Sequence, residues 1–444
     1  MAEPRLPSRD TQVSHRDVLR LALPMTLAYL STPLVGFVDT AIIGRLGNPS
    51  LLGGIAVGAI IFDFIFVAFN FLRMGTTALT AQAAGKDDSI EVRAIFFRTL
   101  IIAAISGLAL ALIHKPGLAI GLGFMAASDE VNRAASTYFT IRIFGSFFEL
   151  ANYAILGWLL GQGRAGLGLM LQTILNGGNV ACSVWLVTVL GWEVEGVAWG
   201  TFIAQAVAMI IGFGVVFSLT GRALFVPMEK ILSAVGFRRL LVVNRDLVLR
   251  SLILVFAFSF FTAQSARQGE IILAANAILM NFFAIAGYFL DGFAASAETL
   301  VGTAIGRRSR AMVQRSVKLT VTWGVGLGVI TSGFFLLLGP HLIDFVTTSP
   351  EVRQTARDYL LWAALTPLVG VLAFEFDGVY IGATWGRDMR NMMLTSLAIG
   401  GIIWGVAMPL LANDGLWLAL HGFLIARGLT LLARYPRCLA REFA

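Results

Sequence analysis

Charge is what this sequence has least of. Of its 444 residues only 13% are Asp, Glu, Lys or Arg, while 57% are apolar and the mean hydropathy is +0.80. A water-soluble domain carries about 25% charge, so most of this chain must face lipid or other protein. Cysteine is nearly absent. Cys182 sits in an apolar run and Cys438 near the end, which excludes a disulfide framework and a CxxC metal pair. His15, His114, His341 and His421 form no HExxH arrangement or cluster, and no GxSxG nucleophile elbow occurs. An enzyme is therefore not expected, and neither is a metal or cofactor. The run GQGRAG from Gly161 to Gly166 fits GxGxxG, but no strand precedes it, so it reads as a loop. The first fifteen residues are polar and lack an apolar core, so no cleaved signal peptide is expected and the first apolar run stays as an anchor.

What is present is long apolar stretches. About 20 apolar residues cross a bilayer, and runs of that kind fall at 18–43, 52–74, 94–113, 135–160, 166–190, 195–219, 246–267, 270–299, 316–338, 356–381, 391–411 and 415–433. The expected fold is an all-α integral membrane protein of twelve transmembrane helices. Taking alternate loops with the two tails puts 24 Lys and Arg on one side and six on the other. By the positive-inside rule both termini are cytoplasmic. The net charge of +7 then belongs to loops beside an anionic leaflet, and not to a nucleic-acid partner.

The longest polar interruption, 220–245, divides the chain. The expected order is a cytoplasmic tail (1–15), a six-helix lobe (16–219), a cytoplasmic linker (220–245), a second six-helix lobe (246–434) and a cytoplasmic tail (435–444). The halves resemble each other. LTAQAAGK from Leu79 to Lys86 lines up with LVGTAIGR from Leu300 to Arg307 at an offset of 221. Gly163-Arg164 also matches Gly386-Arg387, and Gly177-Gly178 matches Gly400-Gly401, both at an offset of 223. Two six-helix repeats of one topology imply a pseudo-two-fold axis along the membrane normal and a cleft for alternating access, which points to a transporter.

Ionisable residues inside such runs are costly and mark functional sites. Asp39 lies about one turn from the end of the first run and reads either as an interfacial acid or as a buried ion or proton site. Pro24 and Pro33 remove backbone donors from the same run; Pro24 either marks a first turn or makes a hinge. Asn176, Asn179 and Ser183 in the fifth run serve either a polar cavity or helix packing. Asp291 and Glu298 are seven apart in the eighth run, and Glu375 and Asp377 lie in the tenth; four acids in two helices exceed what packing requires. Arg142 and Glu149, also seven apart, either pair along one face or snorkel separately, and read as structural. Among 33 Phe, 9 Trp and 13 Met, some can line an apolar, adaptable chamber, but spacing does not pick which.

Several ordered stretches resemble the multidrug and toxic compound extrusion (MATE) transporters, DinF branch. These are VDTAIIGRLG (from Val38), FLRMGTTALTAQAAG (from Phe71), ILAANAILMN (from Ile272), YFLDGFAASAETLVGTAIG (from Tyr288) and DGVYIGATWGRDMRN (from Asp377). The resemblance implies two six-helix lobes with substrate and cation competing inside the membrane. It suggests Asp39 as the protonatable acid, Pro24 as the bend beneath it, and Asn179 and Thr201 as polar cavity positions. Where many relatives have a second acid, this chain has Ser183.

The expected function is a cation-coupled antiporter of the bacterial inner membrane, with no cofactor and with H+ favoured over Na+. Its partners are membrane lipid and small cationic or neutral amphipaths, and a monomer is expected. The alternatives are a flippase for lipid-linked substrates, for which the intramembrane charges look too acidic, and an integral membrane transferase.

Overall fold

The computed structural model describes residues 13–125, 128–224 and 226–444; Arg5 and Arg9, two of the 24 basic residues on the side of the tails, lie outside them, as does the side chain of a third, Arg222. The described residues form helices and no strand. The first half holds α1 (His15–Gly44), α2 (Pro49–Val67), α3 (Phe71–Gly85), α4 (Ser89–Met125), α5 (Asp129–Phe144), α6 (Ser146–Gly161), α7 (Ala165–Thr188) and α8 (Val194–Thr220). The second holds α9 (Met228–Ile231), α10 (Ala234–Arg267), α11 (Glu270–Gly306), α12 (Arg310–Val346), α13 (Pro350–Asp358), α14 (Leu360–Gly382), α15 (Gly386–Leu411) and α16 (Asn413–Glu442).

Helix starts follow local chemistry. The Asn48 side chain accepts from the Ser50 N–H ahead of α2, and Ser309 and Ser349 do the same for α12 and α13. Pro49 and Pro350 occupy first-turn positions where no backbone donor is needed.

Among the described residues ten helical runs are long and apolar enough to cross a membrane, and eleven if α5 and α6 count as one span bent by 51°. The remaining helix, α7, has 24 residues and so is about 36 Å long. Gln172, Asn176, Asn179 and Ser183 dilute its hydropathy but not its reach. The result is twelve spans, six in each half. Large apolar side chains such as Phe37, Phe64, Leu112 and Leu337 stay exposed in the isolated chain, as lipid-facing groups must.

Three expected boundaries shift. The span expected at 135–160 breaks at Gly145, where α5 ends and α6 starts. The expected cytoplasmic tail from 435 is still helix, since α16 runs to Glu442. The expected linker is partly folded onto the first lobe. Arg98 of α4 donates through Nε to the Ile231 carbonyl (3.1 Å) and through NH2 to that of Lys230 (2.6 Å), while NH1 pairs with Glu91 (2.7 Å).

The chain separates into two compact units. One comprises Leu27–Asn244, the other 13–26 together with Arg245–Ala444, so the division falls inside α1 after Thr26. In the second unit the α1 segment lies close enough at Thr26 that Gly292 of α11 has no room for a side chain. From Gly292 to Gly306 every residue of α11 is buried. The helix meets α14 where Gly378 and Gly382 let its carbonyls at Ala294 and Glu298 approach.

Backbone geometry fixes the internal register. The left-handed residues that close the turns occur at Asp87 and Arg308, and again at Gly163 and Thr384, both pairs 221 apart. The Gly-Arg and Gly-Gly matches at 223 are therefore not structural equivalents. Gly163-Arg164 corresponds to Thr384-Trp385, with Arg164 N–H and Trp385 N–H each closing a six-residue turn, onto the Leu159 and Tyr380 carbonyls. The connection before α16 is shorter than that before α8, so Glu195-Gly196 corresponds to Asp414-Gly415, 219 apart.

Candidate functional site

In the first unit, a short polar ladder crosses three helices. Asp39 of α1, Asn179 and Ser183 of α7, and Thr201 of α8 are all buried. The Asn179 amide donates to Thr201 Oγ1 at 2.8 Å, and the Thr201 hydroxyl donates to the Val197 carbonyl at 3.1 Å. The Ser183 hydroxyl donates to Asn179 Oδ1 at 3.3 Å and also lies within hydrogen-bonding reach of the Asp39 carboxylate. One hydroxyl carries one proton, so it serves one acceptor at a time. Asp39 Oδ1 has no hydrogen-bond partner among the described residues. The ladder is tight because Gly200 leaves no space between α8 and Ser183. Asn176 sits on the same helix and donates to Ser31 Oγ of α1 at 2.6 Å, holding α7 to α1.

The basic group whose charge reaches Asp39 is Arg142. Its guanidinium donates to the Tyr138 hydroxyl at 2.8 Å, stacks 4.0 Å over the Phe62 ring, and pairs with Glu149 at 3.4 Å across the Gly145 break. Tyr153 donates to the other Glu149 oxygen at 3.2 Å. Asp63 of α2, which the sequence reading did not single out, faces the same arginine electrostatically. The Arg142–Glu149 pair is therefore part of the charge environment of Asp39.

The four acids of the second unit are not one cluster. Asp377 of α14 receives Arg250 of α10 and Arg427 of α16 on the same oxygen, and all three are buried. Both arginines belong to the 24 that the alternation of loops assigns to the cytoplasmic side; they lie within helices, and 22 against six keeps the same bias. The signal was their position inside apolar runs, VLRSLILV and FLIARGLT. Glu375 is fully buried against Gly324 of α12, and neither of its oxygens has a hydrogen-bond partner among the described residues. Asp291 is exposed on α11, and its charge reaches both Glu375 and Arg427. Glu298 lies two turns further along α11, in its fully buried part. Seven residues apart on α11, Asp291 and Glu298 differ in exposure because the helix passes from exposed to enclosed between them.

Pro24 is half-buried in α1, two residues before the division between the units. It sits where the first helix passes from one unit to the other, about four turns from Asp39.

The chain matches the family model described as MatE over residues 24–185 and 247–406. It is 37% identical over 425 residues to the DNA damage-inducible protein F of Escherichia coli (strain K12), covering 96% of this chain and 92% of that one. It is 25% identical to the multidrug resistance protein NorM of Burkholderia vietnamiensis, covering 93% and 89%. Its fold is similar to a solved outward-facing structure of a multidrug resistance MATE family transporter of the MOP superfamily, with a TM-score of 0.89 over 97% of both chains at 17% identity.

Proposed function

Since the chain belongs to the MatE family, we propose that it is a proton-coupled antiporter exporting amphipathic organic compounds, with Asp39 as the coupling acid. The observation that carries this is the buried Asp39 carboxylate, with one oxygen unsatisfied and the other end of its environment built of hydroxyls and amides that can switch partners. When Asp39 is ionised, the Ser183 hydroxyl turns to it. When Asp39 is protonated, it can donate to Ser183 Oγ, freeing the Ser183 proton for Asn179 Oδ1. Protonation thus re-aims the ladder from α1 toward α7 and α8, giving two arrangements for a proton to bias. Pro24 is the hinge of this reading, since its missing N–H weakens α1 where the helix changes unit.

Asn179, Ser183 and Thr201 form the polar wall of the site. Asp291, Glu298 and Glu375 are assigned to cation or substrate selection in the second lobe, and Asp377 to holding Arg250 and Arg427. The chain is a multi-pass membrane protein, and its family sets the transferase alternative aside. The flippase alternative gains one observation, the two buried arginines, but Asp377 already engages both.

The test is transport in proteoliposomes with pH and sodium gradients imposed separately. A pH gradient of one unit supplies ~1.4 kcal/mol, which for electroneutral exchange concentrates a monovalent cation about tenfold. Export driven by the pH gradient alone is expected, and export driven only by sodium would sink the proton assignment.

The same reading places the protein in a bacterial inner membrane as a monomer with both termini cytoplasmic. A reporter fused after Ala444 should be active in the cytoplasm; activity confined to the periplasm would reverse the orientation.

A further inference from the structure

An arginine of the first lobe already has the surroundings of a bound organic cation. The Arg142 guanidinium lies 4.0 Å over the Phe62 ring and 5.6 Å from the centre of the Tyr138 ring, whose hydroxyl accepts from it at 2.8 Å. Both rings are fixed. Phe66 stacks on Phe62 at 4.1 Å and Phe139 meets it edge to face at 6.4 Å, while Tyr138 is seated on α2 where Gly58 leaves room for its ring. Three carboxyl groups from three other helices face the same guanidinium: Glu149 of α6 at 3.4 Å, and Asp39 of α1 and Asp63 of α2 through their charge. An aromatic face, a phenolic oxygen and carboxylates are what a receptor for an organic cation uses. Here the cation belongs to the chain.

This box is not sealed. The Arg142 side chain keeps 14% of its surface accessible, and Asp63 is exposed in the isolated chain. An acid inside a span faces a polar cavity and not lipid, so the open side of Asp63 is the side from which a polar solute approaches. The guanidinium is also held loosely by its ion pair, since 3.4 Å to Glu149 is long for a charge-assisted hydrogen bond. An arginine that only braced the break between α5 and α6 would need Glu149 alone. The ring face and the two further acids have no part in that role.

We propose that Arg142 is a tethered competitor of cationic substrates, occupying the first-lobe box that their charged head would otherwise fill. The substrates concerned are organic cations whose charge is spread over a flat group, such as a guanidinium, an amidinium or an aromatic ring system. Such a cation binds only by displacing the guanidinium from the Phe62 face and from the acids around it. A neutral compound makes no demand on the box. Arg142 therefore lowers the affinity for cations, leaves that for neutral compounds unchanged, and acts as a specificity-determining residue. The proposal deepens the reading of this chain as an exporter of organic compounds and rests on it for the identity of the competitor. Binding is read at equilibrium without any ion gradient, so failure of proton coupling would leave the result interpretable, and unchanged binding would leave the coupling result intact.

The experiment is fluorescence binding to the full chain in nanodiscs, with lipid-only nanodiscs as the blank. Ethidium is the ring-delocalised cation and N-phenylnaphthylamine the neutral aromatic control. Arg142→Ala should bind ethidium about tenfold more tightly than the wild type, equivalent to ~1.4 kcal/mol, and bind the neutral dye as the wild type does. Ethylguanidinium, which supplies the missing head as a free ion, should displace ethidium from Arg142→Ala but not from the wild type. Should Arg142→Ala fail to fold, Arg142→Gln, which keeps the length of the side chain and a donor for Tyr138 but not the charge, should show the same gain for ethidium over the neutral dye. Ethidium binding no tighter than in the wild type, an equal gain for the neutral dye, or displacement by ethylguanidinium as strong in the wild type as in the variant would overturn the proposal.

Discussion

Asp39→Asn should abolish export driven by a pH gradient, reducing accumulation against a one-unit gradient from about tenfold to none, while the protein still inserts and purifies as a folded protein. The substitution keeps shape and one carbonyl acceptor, so the Ser183 contact can persist. A hydrogen bond to a charged group contributes about 1.5–3 kcal/mol, which bounds the loss of stability. What Asn cannot do is gain and lose a proton, so the ladder through Asn179 and Thr201 stays in one arrangement. Ser183→Ala is the informative companion. It removes the hydroxyl that relays between Asp39 and Asn179 but leaves the titrating acid, so coupled export should slow without stopping. Dye efflux at the wild-type rate in Asp39→Asn proteoliposomes would remove Asp39 from the coupling role.

How much of this was legible in the sequence differs by kind of signal. Spans are written as runs of apolar residues, and the runs found the twelve helices. Even α7 was found, although its polar residues dilute it, because length and flanking turns carried it. The break at Gly145 was not legible, since the stretch from Asp129 to Gly161 as a whole still has the apolar character of one span. Register was half legible. The LTAQAAGK and LVGTAIGR match gave 221, but Gly-Arg and Gly-Gly pairs suggested 223, and only the left-handed residues at Gly163 and Thr384 decide between them. No pattern of residue types reveals that a threonine takes a glycine's backbone conformation.

The site shows the same division. Asp39, Asn179 and Ser183 were visible because polar groups in apolar helices are rare, and the structure brings them together. Partnership was not visible. Asp377 looked like one acid among four because its counter-ions, Arg250 and Arg427, lie 127 and 50 residues away on other helices. Counting charges by loop assigned those arginines to the membrane surface, since a one-dimensional count cannot tell a loop arginine from one buried a few turns inside a helix.

Asp377→Ala is the substitution expected to destabilise the second lobe most. Two guanidiniums from different helices meet one carboxylate oxygen in a buried setting. Taking the carboxylate away leaves two like charges facing each other without water, and breaking a buried pair costs about 3–5 kcal/mol. Glu375→Gln, two residues away on the same helix, should behave oppositely. Its carboxylate has no hydrogen-bond partner among the described residues, so removing the ability to ionise should leave stability unchanged or improve it. The two variants carry the same change of formal charge, but only Asp377→Ala strips two arginines of their counter-ion. Heat-induced loss of the monodisperse peak in detergent is the measurement. Equal stability of Asp377→Ala and wild type would mean that the buried pairing does not hold the lobe together. A third variant then separates stability from function. Replacing the whole triad by apolar residues, Arg250→Met with Asp377→Leu and Arg427→Met, removes the charges together, and such replacements are often neutral or stabilising by about 1–4 kcal/mol. If that protein is stable but no longer exports, the charges are kept for transport, with Arg427 and the exposed Asp291 as the pair through which the lobe senses an ion. If it is stable and exports normally, the triad serves only to fix how α10, α14 and α16 pack.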